Sequence, residues 1–274
     1  MIKKLSVTML ISISGALSAN EYQTFLNTNY DTIDFDNESA DLIGFSAQHF
    51  FDTKKALGPL SEFEYINTVS NVFGGFSRNL DDSENIYALS GDWIASNFIL
   101  GATKQSFSSG SDYNTVRFGY LFSDNFKVEV SSSGFDNDFD QTILMSSYNH
   151  QINASDYIGV SMALSDDLDY KQISSKYFSQ LENDNYVSLS LNYSKYDDNI
   201  DSSGYWGVGA NYYFSPYSSI LLNIDDEESV QIGGQHFFND SFSVGIRYRT
   251  TSIDVGPGQE EDVDTLSLSA QAQF

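Results

Sequence analysis

The sequence contains no cysteine, three prolines and only 13 lysines and arginines among 274 residues. Without cysteine, neither a disulfide framework nor a lipoprotein anchored through cysteine is possible. So few prolines are compatible with long strands, because proline interrupts the hydrogen bonding of a sheet. Long apolar runs are also scarce: after residue 20, no segment approaches the roughly 20 apolar residues that a membrane-spanning helix needs.

Acidic residues greatly outnumber basic ones, with 38 aspartates and glutamates in the chain. Such an excess argues against nucleic acid and anionic phosphate surfaces as partners. High charge can also indicate disorder, but aromatic residues make up 15% of the sequence, which is too much for a disordered chain. No linker or break in composition follows residue 20, and the rest of the chain is predicted to form one domain.

The first 19 residues have the features of a secretory signal peptide. Lys3 and Lys4 supply the positive start, residues 5–17 are mostly apolar and uncharged, and Ala19 is a suitable last residue before cleavage. The apolar stretch is too short for a membrane helix. Removing residues 1–19 would leave 11 basic and 38 acidic residues, a net charge of −27, on a mature domain of residues 20–274.

Tight polar turns with an aromatic residue at each edge recur along the chain. Phe122-Ser-Asp-Asn-Phe126 is repeated as Phe238-Asn-Asp-Ser-Phe242, and looser copies occur near residues 153–157, 182–186 and 214–218. A water-soluble sheet does not need aromatic residues on both sides of its turns. A transmembrane barrel does, because aromatic girdles lie at the lipid–water interface.

The last ten residues alternate strictly between two faces. Leu266, Leu268 and Phe274 are on one face, and the other is built from serine, threonine and glutamine. Ten residues match the 9–11 of a membrane-spanning β-strand. Although soluble sheets also alternate, a final strand ending in phenylalanine resembles the assembly signal of outer-membrane barrels. The large apolar face is predicted to contact lipid and the small polar face to contact water.

Two kinds of connection alternate between these segments. Short aromatic-edged turns are predicted near residues 53–58, 96–97, 123–125, 153–156, 181–185, 215–218 and 239–241. Acidic polar loops are predicted near residues 31–40, 79–85, 108–113, 134–140, 165–169, 196–204, 225–229 and 251–262. Seven turns and eight loops predict an all-β fold: a transmembrane antiparallel up-and-down β-barrel of sixteen strands, with short periplasmic turns and short acidic extracellular loops.

The strand count is least certain at residues 60–78 and 139–150, where alternation is poor and a merged or irregular strand could be hidden. A barrel of this size is too wide for its own side chains to fill, so it leaves an aqueous channel unless something plugs it. Because all predicted connections are short, neither a plug domain nor a deeply folded constriction loop is expected.

Three segments carry a recognisable pattern: Leu57-Gly-Pro-Leu-Ser-Glu62, Tyr87-Ala-Leu-Ser-Gly-Asp-Trp93 and Tyr205-Trp-Gly-Val-Gly-Ala-Asn-Tyr-Tyr-Phe214, with looser matches at 234–238 and 243–248. These segments resemble the putative general porin family of Gram-negative outer membranes. The resemblance spans most of residues 40–274. It implies a diffusion channel in the outer membrane and supplies no catalytic residues. Because trimers are common among sixteen-stranded porins, it also suggests a homotrimer.

Charged residues on the predicted inner face are candidate pore-lining groups. Such groups set the field that permeating ions experience. The alternative is that near neighbours such as Lys127 and Glu129 only form ion pairs in a wet lumen. The candidates are Asp92, Arg117, Lys127, Glu129, Lys176, Arg247 and Arg249.

No cofactor or metal is predicted. The run Asp136, Asp138 and Asp140 matches the start of an EF-hand loop, but Gln141 and Ser147 stand where that loop needs glycine and glutamate. Solvated surface charge is therefore the preferred interpretation. The three histidines, His49, His150 and His236, all precede predicted turns and are expected to pack at the interface or in the lumen, not to catalyse a reaction.

The predicted function is that of an outer-membrane porin, a water-filled channel for passive diffusion of small hydrophilic solutes and ions. Its partners would be outer-membrane lipid, these solutes and the barrel-assembly machinery, which would bind through Phe274. The alternative is a structural or adhesive barrel whose acidic loops bind divalent cations or partners. The short loops count against adhesion, because they offer little surface for recognition.

Overall fold

The computed structural model describes residues 20–35, 38–82, 84–136, 138–197, 202–256 and 259–274. The predicted signal peptide lies outside these residues. Sixteen antiparallel strands form one closed barrel in which each strand pairs with its neighbours in the chain and β1 pairs with β16. The predicted fold class and strand number are therefore confirmed.

The strands are long, and most exceed the minimum needed to cross a bilayer. In chain order they are β1 Glu21–Asp34, β2 Ser39–Lys55, β3 Asn71–Asn79, β4 Asn85–Ala95, β5 Phe98–Phe107, β6 Asp112–Ser123, β7 Phe126–Phe135, β8 Gln141–Gln151, β9 Tyr157–Ser165, β10 Tyr170–Gln180, β11 Tyr186–Asp197, β12 Ser202–Ser215, β13 Ser218–Asp225, β14 Val230–Asn239, β15 Phe242–Gly256 and β16 Gln259–Gln273.

Among the described residues, no helix is both long enough and apolar enough to span a membrane.

Alternation along each strand separates an apolar outer face from a polar inner face. On β15, Val244 and Ile246 expose 43% and 53% of their surface, whereas Ser243 between two outward residues is buried. On β12, Trp206 and Phe214 are exposed and Tyr213 is buried. Large apolar side chains that would be costly in water therefore cover the outside, as the period of two in the sequence predicts.

The strands continue further towards the extracellular end than the sequence predicts. Residues 251–262 are a predicted loop, yet β15 and β16 stay paired as far as Gly256 and Gln259. Backbone pairing does not depend on apolar side chains, so polar segments extend the sheet above the apolar band.

Residues 141–151, whose alternation is poor, form the regular strand β8.

The prediction of a first periplasmic turn at residues 53–58 is wrong. Strand β2 runs to Lys55, and a 15-residue connection, residues 56–70, separates it from β3. The other six turns lie where they are predicted, to within a residue or two. We call residues 56–70 the inward segment, because its side chains pack against the inner face of the barrel. Its presence contradicts the expectation that every connection is short.

The barrel closes tightly at its periplasmic seam. The Phe274 carbonyl accepts hydrogen bonds from the backbone N–H groups of Gln23 and Thr24, at 2.6 and 2.8 Å, and its own N–H donates to the Thr24 carbonyl at 2.9 Å. The Phe274 ring meets the Phe242 ring edge to face at a centroid separation of 5.8 Å. The last residue of the chain thus fixes the first strand in place.

Adjacent residues on β16 provide a test of the two faces. Leu268 lies on the outer face five residues before the end of β16. With a rise of about 3.3 Å per residue and a tilt of about 40°, it lies roughly 13 Å from the periplasmic edge, near the middle of the apolar band. Leu268→Arg should reduce the free energy of unfolding by about 2–4 kcal/mol.

The matched control is Ser269→Arg, which places the same charge on the lumen face of the same strand. It should cost much less, because its guanidinium stays in water. Urea unfolding in lipid vesicles, followed by heat-modifiable migration on gels, measures both variants. Equal losses of stability, or a larger loss for Ser269→Arg, would show that the assignment of the two faces is wrong.

Candidate functional site: the lumen and the inward segment

The first half of the inward segment docks where the two ends of the sheet meet. Leu60 donates its backbone N–H to the Pro216 carbonyl at 2.9 Å, and its own carbonyl accepts from the Gln273 side-chain amide at 3.2 Å. Leu60 is fully buried in an apolar cluster that also holds Tyr22 and Phe25 of β1. The cluster is completed by Phe50, Ala56 and Phe237, with Phe63 packed against it.

A buried carboxylate fastens the middle of the segment to the opposite wall. Glu62 is 3% exposed and accepts a hydrogen bond from Tyr157 of β9 at 2.8 Å and one from Tyr213 of β12 at 3.0 Å. The Lys176 ammonium of β10 lies 2.5 Å from Glu62 Oε1. Both carboxylate oxygens are therefore occupied, as a buried charge requires. We call these four residues the Glu62 cluster.

The second half of the segment crosses towards β4–β6 and returns. The Tyr65 hydroxyl and Ser161 Oγ of β9 are 2.8 Å apart. Ile66 is buried against Ile99 of β5 and Leu121 of β6. The buried Lys54 of β2 pairs with Glu64 at 2.9 Å and also donates to Asn67. The segment therefore contacts wall strands on both sides of the lumen and narrows its periplasmic end.

Close packing around the segment depends on two glycines. A Cβ atom on Gly58 would lie 2.5 Å from the Tyr186 ring, and φ of Gly58 is +122°, a conformation that other residues rarely adopt. A Cβ atom on Gly159 of β9 would lie 2.5 Å from the Tyr65 ring. Larger residues at either position would displace the segment from the wall.

Six of the seven predicted site residues take part in ion pairs. Arg117 and Asp92 are 2.7 Å apart, above Gly101, whose missing side chain leaves room for both. Lys127 and Glu129 are 2.5 Å apart on β7, where the sequence suggests a pair as one alternative. The remaining pairs join predicted residues to acids outside that set, Lys176 to Glu62 and Arg249 to Asp225.

The Arg117 pair belongs to a polar belt along the inner wall of β2–β6. Arg117 also donates to Thr103 at 3.1 Å, and Asn71 bridges Asp92 and Gln48 through longer contacts. Such a belt fixes both charges on the wall. Side chains that are held by several partners keep a constant position in the field of the lumen.

Arg247 differs from the other predicted cations. It is exposed, and among the described residues no acid lies within 4 Å of it. It borders the same lumenal cavity as Glu62 and Lys176. Arg249, two residues further along β15, instead donates to Ser229 at 2.8 Å and lies 3.6 Å from Asp225.

The histidines lie on the outer face near the periplasmic end, each beside an aromatic residue. His49 contacts Phe51, His150 contacts Tyr148 and His236 contacts Phe238, at ring separations of 5.5, 6.5 and 5.2 Å. Within the described ranges, no group of three histidines or acids is placed to hold a metal ion. Asp36 of the first acidic loop lies outside those ranges.

The functional residues that sequence reasoning missed are those of the inward segment and its partners. Glu62 and Tyr213 stand in segments that resemble the porin family, but no local pattern predicts the contacts of Glu62 with Tyr157 and Tyr213, because they join residues 95 and 151 positions apart. The loss of alternation after residue 59 is a signal of this segment in the sequence. It predicts a merged or irregular strand, whereas the structure has a connection that folds into the lumen.

Solved structures with the same fold are distant in sequence. The outer membrane protein Omp33 of Acinetobacter baumannii aligns at 14% identity over 94% of this chain and 100% of its own, with a TM-score of 0.57. OpdQ of Pseudomonas aeruginosa aligns at 10% identity over 93% of this chain and 97% of its own, with a TM-score of 0.55. No curated protein sequence matches the chain at a significant level.

The family comparison is decisive where the individual relatives are too distant. The model of the family described as "Putative general bacterial porin" matches residues 1–274, the whole chain. The description of that family is that of a channel. The chain belongs to the general bacterial porin family, and it is a porin of the Gram-negative outer membrane.

Proposed function

We propose that the inward segment sets the size limit of this porin, which passes only small hydrophilic solutes and ions by passive diffusion. The observation that carries the proposal is the Glu62 cluster, which holds the segment across a lumen that sixteen strands would otherwise leave wide. The seven charged residues at predicted lumen positions would act on solutes along this narrowed path.

The passage is proposed to run beside β7 and β8. Hydrogen bonds and apolar clusters of the described residues join the inward segment to β1, β2, β4–β6, β9–β12, β14 and β16, and include none with β7 or β8. The Lys127–Glu129 pair lies on this part of the wall. Permeating ions would therefore pass close to that pair.

Breaking the Glu62 cluster should widen the channel. Glu62→Ala removes the acceptor of two buried hydroxyls and one ammonium, and each unpaired group costs about 1–3 kcal/mol. The docked state of the segment should therefore lose on the order of tenfold or more in population. Single-channel conductance in KCl should rise, and larger sugars should enter in liposome-swelling measurements.

The control for this prediction is Thr68→Ala, in the same segment but away from the cluster. Its conductance should match that of the unaltered protein. If Glu62→Ala conducts no better than Thr68→Ala, although both form folded barrels, the inward segment does not limit the passage.

The ionic preference is proposed to be weak and salt-dependent. Four ion pairs neutralise most wall charge, while acidic residues outnumber basic ones in the extracellular loops. Exposed charges act over a Debye length of about 8 Å at physiological salt and further at low salt. Reversal potentials across KCl gradients should show cation preference that grows as the mean salt concentration falls.

Two lysine variants locate the charges that matter. Lys127→Gln should increase cation preference, because it leaves Glu129 unpaired beside the proposed passage. Lys104→Gln removes a lysine that is paired with Asp112 on the outer face near the extracellular end. This variant should change the cation preference little. Anion preference that grows as salt is lowered, or equal shifts in both variants, would contradict the proposed passage.

Export and assembly complete the proposal. Cleavage after Ala19 would release a mature protein beginning at Asn20, and Phe274 would direct the barrel-assembly machinery; a homotrimer is proposed from the family resemblance. Deleting Phe274 should reduce the amount of heat-modifiable protein in the outer membrane severalfold, whereas the conservative Phe274→Tyr should not. Sequencing of the mature N-terminus and cross-linking test the other two assignments.

A further inference from the structure

A shallow apolar groove of about 880 Å³ runs along the outer face of β13–β15, from the periplasmic end towards the middle of the apolar band. Gly234 of β14 forms its floor, because this outward-facing residue has no side chain. Its cross-strand neighbours Ile220 and Ile246 are 54% and 53% exposed and form the two sides. Their strands are roughly 10 Å apart at the backbone, which leaves room for one acyl chain between them.

His236 stands at the periplasmic end of this groove. It is exposed on the outer face, and its cross-strand neighbour Ser218 is the first residue of β13, so the imidazole lies at the level where that strand begins. Nδ1 lies 2.8 Å from Ser218 Oγ, and the Phe238 ring meets the imidazole edge to face at 5.2 Å. Because Nδ1 is engaged, Nε2 is the ring nitrogen left for a ligand.

A protonated His236 has no counter-charge among the described residues. Its cross-strand neighbours are Ser218 and Val244, and no carboxylate of the described ranges lies within 4 Å of its ring. The titratable groups of the adjoining turns, Tyr217 and Asp240, are hydrogen-bonded to each other at 2.7 Å. Imidazoles gain their charge between pH 8 and 5. At this position the charge faces the lipid headgroups, where phosphate is the available anion.

The other two histidines each lack one part of this arrangement. His49 Nδ1 lies 2.9 Å from Thr24 Oγ1, but His49 does not line the groove. His150 is exposed at the same end of the barrel, but its cross-strand neighbour is Ile158, whose side chain offers no hydrogen bond. An imidazole that is held by a hydroxyl at the end of this groove is therefore particular to His236.

We propose that the groove binds one anionic phospholipid of the periplasmic leaflet, with an acyl chain along Gly234 and the headgroup phosphate on the protonated imidazole of His236. Nε2 donates a charge-assisted hydrogen bond to a phosphate oxygen. Because membrane lipid is as apolar as the groove, the chain fixes the position of the lipid and the headgroup supplies the selectivity. Only the protonated imidazole carries the charge, so binding strengthens as pH falls and is lost as pH rises.

The site is tested by native mass spectrometry of the folded barrel in detergent, which measures the dissociation constant of the first bound lipid. The probe is dioleoylphosphatidylglycerol. It should bind about tenfold more tightly near pH 5 than near pH 8, as expected for one charge-assisted hydrogen bond. His236→Gln should remove this difference. His150→Gln is the matched control at the same end of the barrel and should retain it. Heat-modifiable migration on gels confirms that both variants are folded.

A variant that fills the groove tests the acyl chain separately. A Cβ atom on Gly234 would meet nothing closer than the Ser219 carbonyl oxygen at 3.4 Å, so Gly234→Leu is compatible with the wall. It should weaken binding of the probe severalfold at both pH values. The control is Gly74→Leu on the outer face of β3, where a Cβ atom would have nothing within 4 Å, and its binding should be unchanged. Unchanged binding in Gly234→Leu would show that the chain does not lie in the groove.

Two further ligands identify the headgroup. Dioleoylphosphatidylcholine, which has no net charge, should show no comparable pH dependence. Glycerol 3-phosphate, which has a phosphate and no acyl chains, should not compete with the probe at equal concentration. Equal pH dependence of the two lipids, effective competition by glycerol 3-phosphate, or equal losses in His236→Gln and His150→Gln would overturn the site.

A second copy of the chain is the other possible occupant of the groove. Because the sequence contains no cysteine, Ile220→Cys places a single thiol at its side. Under oxidising conditions in phosphatidylglycerol vesicles this variant should remain uncross-linked. Disulfide-linked pairs of barrels would show that protein covers the groove, and would overturn the lipid site. None of these measurements requires conduction, so they are independent of the proposed size limit of the channel.

Discussion

A backbone N–H or C=O group that faces lipid without a partner costs several kcal/mol, and the whole architecture follows from avoiding that cost. The pairing of β1 with β16 leaves no edge strand whose backbone N–H and C=O groups lack partners, and the sheet is therefore a closed barrel. Closing the sheet with every neighbouring pair antiparallel requires an even number of strands, and this places both ends of the chain on one side. The seam is secured by the hydrogen bonds between Phe274 and the first residues of β1.

A closed sheet of sixteen strands has an interior that its own side chains do not fill. The chain fills part of this space with one long connection and fastens it through a buried polar cluster. Glu62 is held by groups from three strands, and Lys54 holds Glu64 from a fourth. Most of the remaining charge on the wall is paired as well, which leaves the lumen nearly neutral and makes the unpaired Arg247 distinctive.

The sequence predicts the barrel well because its signals are local. A period of two identifies each strand, and aromatic pairs such as Phe122 and Phe126 mark turns that the structure confirms. Lys127 and Glu129 are near neighbours on one strand face, so their pairing was available as an alternative. The same reasoning fails at residues 53–58, where it predicts an aromatic-edged turn, although β2 runs to Lys55 and the inward segment begins at residue 56.

The inward segment was not predictable for the opposite reason. Its partners lie on strands that are distant in the chain. The Leu60 carbonyl, for example, accepts a hydrogen bond from Gln273, which is 213 positions away. Periodicity describes how a residue relates to its neighbours and carries no information about contacts across a lumen. Poor alternation identified where the regular pattern ended, but not where the chain went.

The distribution of those contacts also shows which strands the docked segment requires. Leu60 needs the Pro216 carbonyl and the Gln273 amide, and Glu62 needs hydroxyls from β9 and β12. Of these partners only Gln273 belongs to the final strand, so the complete set is present only when that strand has joined the sheet. Full docking of the inward segment therefore requires the closed barrel, and the narrow lumen is a property of the finished sheet.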